Sequence, residues 1–140
     1  MKARFKGHEL TVKVLRYAHN DNLALLLQSA TGEPYGKATA NVEFQLPDPL
    51  VVVKDYSENE GMLDALVEAG VVQPLSYKTP LGHAEGLVCW LNMPDIPARK
   101  QPRTPDQLAK QRAILQKFSA SAVINFDEWL NRLAVDGNGS

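Results

Sequence analysis

Four carboxylates crowd the first ten residues of "DYSENEGMLDALVEAG": Asp55, Glu58, Glu60 and Asp64, with Asn59 and Gly61 between them. Oxygen ligands at this density are what a hard divalent cation takes. The spacing departs from a calcium loop, because Ser57 and Asn59 follow Asp55 and no distant glutamate stands where the last ligand belongs. The same acids suit the first turn of a helix, where negative charge meets the positive end of the helix dipole. On that reading Asp55, Glu58, Asp64 and Glu68 form an acidic face, able to meet the arginines and lysines of a basic partner.

Other chemistry has less to stand on. His8, His19 and His83 belong to no catalytic motif, since "HE" at His8 lacks the second histidine of H-E-x-x-H. His83, near Glu85 in "PLGHAEG", is the best loop candidate for acid–base work. Cys89 lies between Val88 and Trp90, where a free thiol behaves as a small hydrophobe. No Walker A, Rossmann or nucleophile-elbow pattern occurs. A second binding surface is basic: Arg99, Lys100 and Arg103 in a Pro-rich arm, then Lys110, Arg112 and Lys117 on the next segment. Clustered positive charge is what phosphates need, but the aromatic residues of a single-strand binder are missing from this segment.

The charge is polarised along the chain. Glu43 to Glu68 holds seven acids and one base, whereas Pro94 to Lys117 holds six bases and two acids. The 140 residues carry a net charge of −1, so no global field drives the chain toward nucleic acid or anionic membrane. A single cysteine excludes an internal disulfide and fits a reducing cytoplasm. The N-terminus "MKARFKGHEL" has no apolar core of a secretory signal, and no run approaches the ~20 apolar residues of a membrane span.

The elements that must position these residues follow from periodicity. "HELTVKVLRYA" alternates as a strand, with His8, Leu10, Val12 and Val14 on one side. "HNDN" is turn chemistry. "LALLLQS" reads as a strand, with helix as the alternative, and after the turn "ATGEPYG" the segment "KATANVEFQL" reads as a third strand. "LVVVKDY" is a buried strand or leads straight into a helix. That helix has Ser57 and Glu60 as a capping box, Met62, Leu63, Leu66 and Val67 as its apolar face, and Gly70 as its stop. Gly61 early in it implies close approach of another backbone. "VVQPLSYKTPLGHAEG" reads as an ordered loop or short extended segment. "GLVCWLNM" is a strand, with Leu87, Cys89 and Leu91 on one face and Val88 and Trp90 on the other.

After the arm, Thr104, Pro105 and Gln107 start a helix whose stripe is Leu108, Ile114, Leu115 and Phe118. Asn125 and Glu128 cap a last helix, "FDEWLNRLA".

The segments "GEPYGKATANV", "VVVKDYSENEGMLDALVEAGVV" and "GLVCWLN" together resemble a family of uncharacterised proteins grouped as domain of unknown function 4313. The likeness spans Phe5 to Leu91, and the helices from Thr104 onward lie outside it. It implies an accessory protein carried by plasmids, phages and integrative elements, a setting in which small inhibitors of host defence are common. It supplies no catalytic residues to transfer.

The expected molecule is α+β. An antiparallel sheet of four to five strands carries a central helix on one face, within residues 1–93. A Pro-rich basic linker at 94–104 and a C-terminal helical extension at 105–135 follow. Its expected role is a non-catalytic, cytoplasmic protein-binding accessory factor, with no cofactor or metal. Nucleic-acid binding through the basic C-terminal segment is the alternative. The apolar faces of the C-terminal helices are available to the sheet or to a second copy.

Overall fold

The computed structural model describes residues 1–43, 45–100 and 103–119. Among the described residues the class is α+β, with antiparallel strands and two helices. Strands β1 (Lys2–Phe5), β2 (His8–Arg16), β3 (Leu23–Gln28) and β4 (Pro34–Lys37) form a four-stranded meander in chain order. Strands β5 (Leu50–Val53), β6 (Val72–Leu81) and β7 (Ala84–Leu91) form a three-stranded sheet in the order β5-β7-β6. The single sheet of four to five strands expected from periodicity is therefore two sheets.

Three readings account for the difference. β1 is short and half charged, so it carries little periodic signal. Its register is set by Lys6 and Gly7, whose φ values of 49° and 79° make the two-residue turn that matches strand twist. The third strand comes earlier than expected. Gly32 closes the turn at φ 85°, and Pro34 opens β4. β6 runs through two prolines, Pro74 and Pro80. A residue without an N–H is tolerated there because β6 is an outer strand with β7 as its sheet neighbour.

A short segment after β4 joins the two sheets. Ala38 donates to Leu25 O of β3 at 2.9 Å, Ala40 donates to Val52 O at 3.0 Å, and Lys54 donates to Ala38 O at 2.9 Å. Thr39 and Val53 form the bridge between them.

Helix α1 (Met62–Glu68) lies against β1 and β6, the outer strands of the two sheets. Its Met62 and Leu66 enter a core with Phe5, Leu10, Leu25 and Val53. The helix is shorter than expected. Ser57–Asn59 is a separate 3₁₀ turn, and the Ser57–Glu60 capping box does not form, since Gly61 is the N-cap and no side chain caps there. Gly61 is required for its φ of 92°, not for close packing: the nearest atom to an added Cβ is Phe5 Cε1 at 3.9 Å. The C-terminus follows expectation. Gly70 N donates to Val67 O and Val71 N to Leu66 O, the paired bonds of a Schellman stop.

A second core lies on the opposite face of the β5-β7-β6 sheet, around Leu46, Leu50, Val52, Leu75, Val88 and Trp90, with Leu108 packed against it. Two-sided burial explains why "LVVV" shows no alternation. The faces of β7 divide as expected: Cys89 and Leu91 enter the first core, Val88 and Trp90 the second. Helix α2 (Pro105–Ser119) starts on the anticipated box, with Thr104 N donating to Gln107 Oε1 at 2.9 Å and Gln107 N to Thr104 Oγ1 at 3.2 Å. The expected stripe through Ile114, Leu115 and Phe118 and the expected last helix lie outside the described side chains and residues. No described helix is long and apolar enough to cross a membrane.

At Gly86 of β7 an added Cβ would collide with Val52 Cγ1 and with Leu81 Cδ1. Gly86→Ala is expected to lower unfolding free energy by about 1–3 kcal/mol in urea denaturation. An unchanged midpoint would show that Val52 and Leu81 can move aside.

Candidate functional site

Two carboxylates of the acidic stretch are engaged within the fold. Asp55 Oδ1 accepts from Leu63 N at 3.0 Å, steadying the start of α1 from outside the helix. Glu58 pairs with Lys54 at 2.9 Å, and its carbonyl accepts from Lys6 Nζ at 2.8 Å. Asp64 and Glu68 remain exposed on α1. Among the described residues no group of His, Cys, Asp or Glu side chains converges as a metal site requires.

Within the expected linker, the described residues 94–100 and 103–104 form a strap, and two of its arginines face inward. Arg16 grips Asp48 with two bonds, 3.1 Å to Oδ1 and 2.8 Å to Oδ2, and Arg99 Nη2 stands 3.0 Å from the same Oδ2. Arg16 also donates to Pro97 O and Asp21 O, each at 2.8 Å, and Lys100 N donates to Asp21 Oδ2 at 3.1 Å. Arg103 is 8% exposed and donates to Leu46 O at 3.4 Å. Gln111, with its amide oxygen turned toward Arg103, accepts from Nε at 3.1 Å and Nη1 at 3.0 Å. Burial, and next the nearby Arg99 charge, hold the Arg103 pKa below its usual range. Arg99 and Arg103 are thus structural, leaving Lys100, Lys110 and Arg112 exposed. The Lys117 side chain lies outside the described ones.

The other candidates are scattered. His8 is exposed beside Tyr35, with ring centroids 5.5 Å apart, and His19 and His83 are exposed in turns. Cys89 is fully buried, and burial pushes its thiol pKa up to about 12, so the thiolate needed for nucleophilic attack does not form near neutral pH.

What the fold does assemble is a cleft of about 640 Å³ where the two sheets diverge beyond the Thr39–Val53 bridge. Three lysines and three tyrosines line it: Lys6 from the β1–β2 turn, Lys37 and Tyr35 from β4, Tyr17 after β2, and Lys54 and Tyr56 after β5. Glu58 is the one acidic residue among the described lining residues. Lys37 Nζ sits 5.1 Å above the Tyr17 ring and Lys54 Nζ 5.4 Å above Tyr56, within cation–π range. Tyr35 is 42% exposed, held edge-on by Phe5 at 6.4 Å and 84°. The Lys54 pKa is raised chiefly by its hydrogen bond with Glu58, and that bond lowers the Glu58 pKa, so both stay charged at neutral pH. Asn59 is buried and donates to Lys37 O at 2.8 Å, tying the 3₁₀ turn to β4 across the cleft.

These six residues were not singled out by motif reading. A signal was present, since lysine stands two residues from tyrosine in both "YGK" and "KDY". Bringing the pairs together required the join between sheets. Comparison of the chain with protein-family models, with curated proteins and with solved structures returned no match.

Two expected outcomes follow from this geometry. Thr39 Oγ1 accepts from buried Leu25 N at 3.1 Å and shares a hydrogen bond with Tyr17 OH at 3.0 Å. Thr39→Val orphans Leu25 N and leaves Tyr17 OH only the Thr39 carbonyl at 3.2 Å, and is expected to cost about 1–3 kcal/mol in urea denaturation. Burial raises the Tyr17 pKa while the Thr39 bond lowers it, so the variant's Tyr17 titrates at still higher pH by tyrosinate absorbance. An unmoved titration would contradict the assignment. Asp48→Ala leaves two largely buried guanidiniums without their carboxylate, and about 3–5 kcal/mol of stability is expected to go with it. Proteolysis should then cut first within 94–104. Cleavage elsewhere would show that Asp48 does not latch the strap.

Proposed function

We propose that this protein is a non-catalytic binding protein whose recognition surface is the lysine–tyrosine cleft, filled by negative charge from its partner. One observation carries the reading. Three lysines from separate segments line one cleft whose described lining residues include a single acid, Glu58. Like charges gathered in this way repel one another, and an incoming anion relieves the repulsion. Lysine suits this task as a flexible point charge, whereas the inward arginines are already committed to carboxylate and carbonyl partners.

The class of function is the one expected from sequence, with the surface moved. The resemblance noted above supports an accessory factor of a mobile element, acting in the cytoplasm by occupying a partner's anionic site. A defence inhibitor would work in this way. The protein-partner reading through α1 keeps one supporting observation: Val67, 42% exposed, lies between exposed Asp64 and Glu68.

Calorimetric titration with inorganic pyrophosphate at two salt concentrations tests the cleft. Wild type should bind, more weakly at high salt. Lys37→Ala with Lys54→Ala should lower affinity by about a hundredfold, roughly tenfold for each charge-assisted contact. Lys110→Ala, on exposed α2, should leave it unchanged. No binding by wild type, or equal loss with Lys110→Ala, would remove the cleft as the recognition surface.

A further inference from the structure

The chemistry of the cleft walls narrows the ligand further, on the premise that the cleft binds anions at all. Its cationic groups are not free of one another's neighbours. Lys54 is held by Glu58, Lys6 by the Glu58 carbonyl, and Lys37 and Lys54 each cover a tyrosine face. Two of the rings are thereby occupied, Tyr17 also through its hydroxyl bond to Thr39. Tyr35 differs. Its edge contact with Phe5 and the tilted His8 ring 5.5 Å away hold the ring, yet it remains 42% exposed and no described lysine lies above it. Next to it Gly36 opens the cleft floor, with no atom within 4 Å of an added Cβ. A fixed, accessible aromatic ring beside paired ammonium groups is a surface for a ligand that is planar at one end and multiply anionic at the other. The volume of about 640 Å³ falls in the range that encloses a small molecule of that shape.

We propose that the cleft binds a nucleoside phosphate, with the base stacked on Tyr35 and the phosphates received by Lys37 and Lys54, Glu58 acting as the internal competitor that phosphate must displace from Lys54. Base stacking on an aromatic side chain is sequence-tolerant, because every base has a π-face. The phosphate contacts carry the salt dependence. The same chemistry is offered by a free nucleotide and by a single strand of nucleic acid.

The test compares pyrophosphate, a nucleoside diphosphate and a short oligothymidylate on the full chain by calorimetry. The diphosphate is expected to bind about tenfold or more tighter than pyrophosphate. Tyr35→Ala should erase that margin, and Tyr35→Phe should restore it. Glu58→Gln should tighten all three probes, a gain that simple loss of structure cannot produce. Gly36→Ala, whose Cβ meets no atom within 4 Å, should weaken all three by narrowing the floor. Equal affinity for pyrophosphate and diphosphate, or a margin that survives Tyr35→Ala, overturns the nucleoside assignment while the anion cleft stands. Failure of every probe overturns both. Oligothymidylate binding tighter than the mononucleotide identifies a single strand as the source, and equal affinity identifies the free nucleotide. Both results support the assignment.

Discussion

The segment Ala38–Ala40 is the constraint on which the architecture turns. Its backbone serves β3 on one side and β5 on the other, through Ala38 to Leu25, Ala40 to Val52 and Lys54 to Ala38. Two sheets thus share an edge over only a few residues. Buried N–H and C=O groups must be paired, so this shared edge cannot slide without orphaning groups in both sheets. Thr39 strengthens it, because its hydroxyl accepts from Leu25 N and, with its own carbonyl, bonds Tyr17 OH. Past this join, β4 turns back along β3 while residues after Val53 lead toward α1. The cleft is the space between the two departing chains.

A second constraint holds the C-terminal side of the molecule. Asp48 accepts from Arg16 and faces Arg99, all three largely buried, and Asp21 receives the Lys100 amide. A buried ion pair gains little over water unless its remaining donors are satisfied. Arg16 meets that condition through its added bonds to Asp21 O and Pro97 O. The planar guanidinium suits such forked bonding, which lysine cannot reproduce. Lys100, between the inward arginines, accordingly stays at the surface. The turn "HNDN" takes part as well: Asn22 accepts from Leu46 N at 2.7 Å, and Asn20 donates to Val42 O at 2.8 Å. Polar residues that look like ordinary surface chemistry here fasten one loop to another.

The legible parts of this chain are those whose signal is local. The alternation of β2, the two-faced β7, the Gly70 stop and the Thr104–Gln107 box each depend on residues within a few positions of one another, and each is found. The misread parts depend on distant partners. Ser57 and Glu60 have the spacing of a capping box, but Lys54, four residues before Glu58, and Asn59, reaching to Lys37 O, draw this stretch into a 3₁₀ turn instead. Pro74 and Pro80 argue against a strand only when the strand is central, and edge position cannot be read from β6 alone. The arginines of "PARKQPRTP" look solvated because their counter-charges, Asp48 and Asp21, lie far back in the chain.

Net charge misleads for the same reason. A chain at −1 has no global pull on anions, yet a local field depends on which side chains the fold gathers. Here the most acidic stretch of sequence contributes Lys54, Tyr56 and Glu58 to a lysine-lined cleft. Glu58 does not cancel that cleft. It holds Lys54 in place over Tyr56 while lowering the charge the lysines present to one another. On the proposed anion-binding role, a carboxylate in this position would cost affinity, because an anion would have to take its place, but it would also select. A weakly charged ligand would not displace it, whereas a multiply charged one would gain contacts with Lys37 and Lys6 in doing so. Under that proposal the acidic residue in the basic cleft sets a threshold of charge for the ligand.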